Sequence, residues 1–311
     1  MIELTRRGFL GVGVAAASFA LAGCAPADPP TVTLGCGEAG GSYLQFGELL
    51  SEVSRAHGGV RVTALETQGS IENIALLADG RVDMALALAD AAASSPVRGS
   101  FVAIGRVYQN YLQCVVRSAD GPRSLVELTG RVVSLGAPGS GAAATARRVL
   151  DAAGLGAGRT APITVERSFR DAVDDLENGR IDALFWSGGV PTPQIADLAV
   201  RVPITVVDTT SVLPGLRRLS PDAYVATTIP AGVYGASSSV PAIGVANLLL
   251  SRPELDDASV AKIVDLLIDD SADLVPAGAL GIQYLTPASL IDTLPIALHP
   301  AAKRRYRERY G

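Results

Sequence analysis

The pattern of apolar and polar positions changes period along the chain, and it does so twice in the same order. "TVTLGCGEAGGSYLQFGELLSEV", from Thr31, reads as a strand, a glycine-rich turn and a helix. "RVVSLGAPGSGAAATARRVLDAAG", from Arg131, reads the same way, with Leu34-Gly35 matched by Leu135-Gly136 at a separation of 101 residues. Further on, "LADGRVDMAL", from Leu77, is matched by "LENGRIDALF", from Leu176, at a separation of 99. Both predict a helix that ends on a glycine, Gly80 or Gly179, with an apolar strand after Asp83 or Asp182.

This repeated order predicts an α/β fold of two lobes, each a mainly parallel sheet flanked by helices and joined to the other by hinge strands. Ligands of such sheets gather at the carboxyl ends of the strands, where the glycine turns lie, so the two turns face a shared cleft. "YLQCVVRS", Tyr111 to Ser118, is a β-rich run leaving lobe I, with Tyr108, Gln109 and Asn110 in the turn before it. "SLVELTG" is a short helix opening lobe II, "ATTIPAGVYGASSS" a return linker, and "VPAIGVANLLLS" a strand rejoining lobe I. "ELDDASVAKIVDLLIDDSADL" and the basic final segment are helical, with apolar residues three and four apart. The expected division is 31–117 plus 239–311 for lobe I and 118–238 for lobe II.

Before the first copy the pattern is different. Arg6 and Arg7 precede the uncharged run "GFLGVGVAAASFALAG", which ends at Cys24. The run is short for a membrane span and has the order of an export signal. The paired arginines predict the twin-arginine (Tat) route, and Leu21-Ala22-Gly23-Cys24 predicts a lipobox. The expectation is a signal peptide over 1–23, lipidation at Cys24, and a linker over 24–30. Such a protein is lipid-anchored on the outer face of the cytoplasmic membrane; plain secretion is the alternative.

Composition narrows the function. A net charge of −5 with scattered charges argues against nucleic acid, and 48% apolar residues supply two cores. With only His57 and His299, no metal-ligand spacing appears, and His299 reads as structural. Cys36 and Cys114 read as buried thiols, with pairing outside the cytoplasm the alternative. Gly35-Cys36-Gly37-Glu38-Ala39-Gly40 matches the dinucleotide fingerprint, and Glu66 follows as an acidic residue, which keeps an oxidoreductase as an alternative. The second turn has a different spacing and no catalytic pair is evident. A non-enzymatic, monomeric protein with no cofactor is expected.

An ordered set of short motifs resembles the TAXI class of solute receptors, the extracytoplasmic component of TRAP transporters, along essentially the whole length after the signal. The set comprises Gly40-Gly41-Ser42-Tyr43, Gly69-Ser70-Ile71-Glu72-Asn73, Gly80-Arg81-Val82-Asp83, "SLVELTGRVVSLGAPGSG", Gly189 with Pro191-Thr192-Pro193, "TIPAGVY" and "LPIALHP". The resemblance implies a receptor that closes on a small solute, commonly an organic anion, and delivers it to a TRAP permease driven by an ion gradient. The other transporter reading is a binding lipoprotein of the ABC type, which shares the two-lobed type II fold.

The candidate site follows from the turns. Helix N-termini offer free N–H groups to an anion. Gly41, Ser42 and Tyr43 in lobe I, with Gly139, Ser140 and Gly141 in lobe II, are expected to hold the two ends of one solute. Ser70 and Asn73 begin another helix, Asp90 ends a strand near the cleft, and Tyr108 lies on the hinge side. Trp186, Ser187, Gly189, Pro191 and Thr192 complete the expected ligand contacts from lobe II. Ser42 and Ser140 read equally as helix caps, Asp90 as a cap and Trp186 as core; Arg106 is expected at the surface. Leu44, Leu88, Ala89, Ala142 and Ala143 stand where the TAXI class commonly has polar residues. That departure predicts a less polar monocarboxylate rather than a densely polar solute such as glutamate.

Overall fold

Strands β1 (Thr31–Gly35), β2 (Arg61–Leu65) and β3 (Met84–Leu88) lie in the order β2-β1-β3 and run parallel. Their crossovers are α1 (Ser42–His57) and α2 (Ser70–Ala78), with the short α3 (Ala89–Ser94) after β3. Helix α1 buries Tyr43, Phe46, Leu50 and Val53, a stripe at helical spacing, against this sheet. The structure, a computed structural model, describes residues 28–276 and 285–311. The expected signal peptide and Cys24 lie outside the described residues. Among those residues no helix is long and apolar enough to cross a membrane.

The second lobe repeats the plan. Strands β5 (Val132–Ser134), β6 (Ile163–Val165) and β7 (Ala183–Gly188) pair in parallel as β7-β5-β6. Around them lie α4 (Gly141–Ala152), α5 (Phe169–Glu177) and α6 (Pro193–Arg201). The repeat extends to single hydrogen bonds. Asp83 accepts the Thr33 N–H at 2.9 Å and returns its own N–H to Thr33 O at 3.0 Å. Asp182 does the same with Val132, at 2.8 Å in both directions. Gly80 and Gly179 each end a helix at φ 69°, the left-handed conformation that permits the reversal into the next strand.

These bonds place residues of the two copies in register at a constant separation of 99, the separation of Asp83 from Asp182 and of Gly40 from Gly139. The Leu-Gly match at 101 is therefore out of register. The strand-end bond from Cys36 N to Leu65 O has its counterpart in Leu135 N to Val165 O.

Strand β4 (Val102–Arg117) crosses from one lobe to the other. Its first part pairs antiparallel with β10 (Val240–Ser251) and its last part with β7 and β8 (Ile204–Val206). Strand β10 also pairs antiparallel with β3 and with β9 (Tyr224–Ile229). The result is one curled mixed sheet of ten strands rather than two purely parallel ones. Tyr108, Gln109 and Asn110 lie within β4, not in a turn before it, and the expected return linker begins as the end of β9 and continues as turns up to β10. "SLVELTG" forms a single 3₁₀ turn at Val126–Leu128. Arg106 is not at the surface, because its guanidinium is half-buried between Gln109 and Asp292.

One apolar cluster runs from the first lobe (Leu34, Leu86) into the second (Val149, Leu216), whereas Leu184, Ile195 and Leu198 pack on the opposite face of the second sheet. Helices α7 (Leu213–Leu219), α8 (Asp257–Asp269), α9 (Pro287–Ile291) and α10 (Pro300–Tyr310) complete the fold. In α10, Arg305 and Arg309 pair with Asp265 and Asp269 of α8, so the basic last helix is docked by charge. His299 caps α10, its Nδ1 accepting the Ala301 N–H. Cys36 and Cys114 are both free and buried, and burial pushes each thiol up to about 12.

Candidate functional site

The two glycine turns flank one cleft. Gly40 and Gly139 have φ of 78° and 76°, and each turn leads into a helix N-terminus, that of α1 or of α4. Between the lobes lies a small cleft of about 40 Å³ that opens to solvent. The first lobe contributes Glu38, Tyr43, Gly69, Ser70, Leu88 and Asn110 to its wall, and the second contributes Ser140, Gly141, Ala142, Trp186 and Ser187. Trp186 stacks on Phe169 with ring centroids 3.7 Å apart and planes 15° apart, which fixes the indole as a flat wall.

The lobes are bonded directly across this seam. Ser42 Oγ accepts the Gly189 N–H at 2.8 Å, and Glu38 Oε1 accepts the Phe169 N–H at 3.1 Å. The carbonyl of Gly139 accepts from Ile71 N and Glu72 N at 3.2 and 3.3 Å, so the first turn of α2 is capped by the opposite lobe. Gly141 lies against Ser70 and Leu88 so closely that a Cβ there would sit 2.4 Å from Ser70 Oγ. This is the closed arrangement of a hinged molecule.

Of the sequence-predicted ligand contacts, Tyr43, Ser70, Ser140, Gly141, Trp186 and Ser187 line the cavity. Ser42 and Gly139 join the lobes beside it, and Gly41 faces the Trp186 ring. The others sit elsewhere. Asn73 is fully buried, its amide donating to Cys36 O and Leu86 O and its Oδ1 accepting from Thr67 Oγ1 at 2.6 Å. It ties the ends of β1 and β3 together beneath the turn. Asn73→Ala leaves three buried groups unpaired and is expected to lower stability by about 2–4 kcal/mol, read as a shift in the urea midpoint.

Asp90 is also removed from the cavity wall. Its carboxylate is fully buried, and Oδ2 accepts from Thr145 Oγ1, Arg148 Nη1 and Tyr224 OH, each at 2.7 Å. Oδ1 accepts the Ala91 N–H, also at 2.7 Å. All three side-chain donors belong to the second lobe, so Asp90 clamps the lobes on the hinge side. Tyr108 packs between Phe46 and Tyr43. Thr192 Oγ1 closes the Gly189-Pro191 turn on Gly189 O at 2.7 Å, and Pro191 follows a cis peptide bond there.

Glu38, Gln68, Gly69, Leu88, Asn110 and Ala142 line the wall without being among the predicted contacts. Glu38 sits inside the glycine turn, where the fingerprint pattern treats it as a spacer. Asn110 was placed in a turn because polar residues interrupt the apolar pattern of β4. Among the apolar departures, Leu88 and Ala142 form part of the wall, whereas Leu44 packs on the core and Ala143 lends its N–H to Ser140 Oγ.

Among the described residues, the wall has no lysine or arginine. Burial pushes the Glu38 carboxyl above its ordinary range; the Phe169 N–H opposes this shift, and the Glu66 and Asp171 carboxylates add to it. Part of that burial is created when the lobes meet, so closing takes up a proton. The contribution to closure is fully present below the ordinary carboxylate value and is lost as pH rises through the raised one. The radius of gyration from solution scattering is expected to grow as pH rises above the ordinary carboxylate range in unliganded protein, as this contribution fades.

The curled mixed sheet, the two lobes and the crossing strands are the type II fold of periplasmic solute-binding proteins. The chain belongs to the NMT1-like family, whose model it matches over residues 34–309. Its fold is similar to that of a Bordetella bronchiseptica RB50 protein at 16% identity, covering 90% of this chain and 98% of that one, with a TM-score of 0.54. It is also similar to the binding protein component of an ABC phosphonate transporter from Pseudomonas aeruginosa, at 15% identity, 86% and 84% coverage and a TM-score of 0.53. A Xanthomonas citri protein bound to ATP gives 16% identity, 89% and 94% coverage and a TM-score of 0.53.

Proposed function

We propose that this protein is an extracytoplasmic solute receptor that closes its two lobes on a small molecule and presents it to a membrane transporter. The observation that supports this most directly is the cleft flanked by the two repeated glycine turns and walled by both lobes. Native mass spectrometry of protein purified from its own periplasm or culture tests it. A small molecule that stays bound under gentle conditions and leaves on denaturation is the expected result.

For the transporter, the favoured partner is an ABC-type permease, because a solved structure of similar fold is the binding protein component of an ABC transporter. The ordered motifs from Gly40-Gly41-Ser42-Tyr43 to Pro191-Thr192-Pro193 support the second reading, a TRAP permease. Cross-linking of the full-length protein in its host membrane separates the two: an ATPase subunit among the products supports the first, and a multi-span permease without one supports the second. Export through the twin-arginine route and acylation of Cys24 belong to the same reading, as does the division at 117/118 and 238/239. Metabolic labelling with a fatty acid is expected to mark the wild type and not Cys24→Ser.

A further inference from the structure

We propose that the cavity selects a small solute with a protonated amine, held by the Glu38 carboxylate and Asn110 Oδ1, rather than an organic anion. This rests on reading the cleft as the solute site. The orientation of Asn110 is fixed by its surroundings. Its Nδ2 donates to Ser187 O at 3.0 Å and lies 3.4 Å from Ser187 Oγ, and a flipped amide would set oxygen against that carbonyl. The remaining atom, Oδ1, is buried and has no hydrogen-bond partner, in a residue only 2% exposed that lines the cavity. An unpaired buried acceptor favours a ligand that donates.

Glu38 supplies the charge. Its Oε1 is taken by the Phe169 N–H, and its carboxylate lines the cleft. Among the described residues, no basic side chain in the wall offsets it. One helix end that would otherwise attract an anion is already used, because the first-turn N–H groups of α2 are given to Gly139 O. A carboxylate would therefore enter beside a like charge and an acceptor, whereas an ammonium meets two acceptors. Leu88, Ala142 and the face of Trp186 suit a short hydrocarbon tail, and the indole face also favours a cation. The cleft's 40 Å³ takes about three water-sized groups, which suits a small probe such as ethylammonium.

Calorimetry of the purified protein with ethylammonium chloride, sodium acetate and acetamide tests the inference. Ethylammonium is expected to bind with a Kd in the millimolar range, as its three heavy atoms allow, with acetamide weaker and acetate giving no heat. Glu38→Gln keeps an acceptor for the Phe169 N–H and removes only the charge; it is expected to weaken ethylammonium by about tenfold or more. Gly141→Val, which obstructs closure, is expected to abolish binding. Three results overturn the inference: no heat with ethylammonium, acetate binding in preference to it, or equal ethylammonium affinity in Glu38→Gln. Acetate binding that disappears in Gly141→Val would do so while leaving the cleft as the solute site. Ethylammonium binding that persists in Gly141→Val would place the site elsewhere and remove both readings.

Discussion

Asp90→Ala is expected to lower the unfolding free energy by about 3 kcal/mol, near the low end of the 3–5 kcal/mol typical of breaking a buried ion pair from one side. The carboxylate is wholly enclosed and accepts four hydrogen bonds, three of them from the other lobe. Removing it leaves Thr145 Oγ1 and Tyr224 OH without an acceptor in a closed interior. The Arg148 side chain is 21% exposed, so its guanidinium partly regains water, which holds the loss below the upper end. Because all three side-chain donors come from the second lobe, the loss should fall on the docking of the lobes as well as on global stability. Urea unfolding with hydrogen exchange at the α3–α4 contact checks both. A change under about 1 kcal/mol would mean that the carboxylate is not the clamp its bonds describe.

Gly141→Val is expected to hold the lobes apart with little change in the stability of either. The backbone at Gly141 is helical and accepts a side chain, so no local strain arises. The obstruction lies across the seam, where a Cβ would stand 2.4 Å from Ser70 Oγ and 2.8 Å from Leu88 Cδ1. Overpacking of this kind costs about 1–3 kcal/mol, or about fivefold to about 150-fold in the ratio of closed to open molecules. An increased radius of gyration with an unchanged thermal midpoint is the expected outcome. An unchanged radius would show that the seam yields to the extra methyl groups.

The doubled α/β plan was readable because its signals are local. Gly80 and Gly179 act on their own neighbours and mark at positive φ where helices must end. The Asp83 and Asp182 that follow repeat at the same spacing, although each bonds a strand 50 residues earlier. Strand β4 was half missed for the opposite reason. Asn110 and Gln113 interrupt its apolar pattern, yet their amides bond to Ser187 O and Gly189 O across the seam between strands. Asp90 shows the same limit. A lone acid at a strand end reads alike whether it meets a solute or a helix, and its partners lie 55 to 134 residues further along the chain. Glu38 was hidden by the fingerprint match, which assigns meaning to the glycines and none to the residue between them. The site was thus legible as two turns but not as a charge distribution.

Trp186 is the one tryptophan of the chain, and it stands on the seam, stacked on Phe169 with its ring edge against Gly41 of the opposite lobe. Every photon of indole emission from this protein therefore reports on a single location. When the lobes part, water reaches the exposed edge of the ring and the emission moves to longer wavelength; when they meet, it returns. The molecule carries its own optical gauge of opening, usable without labels and in a plate reader.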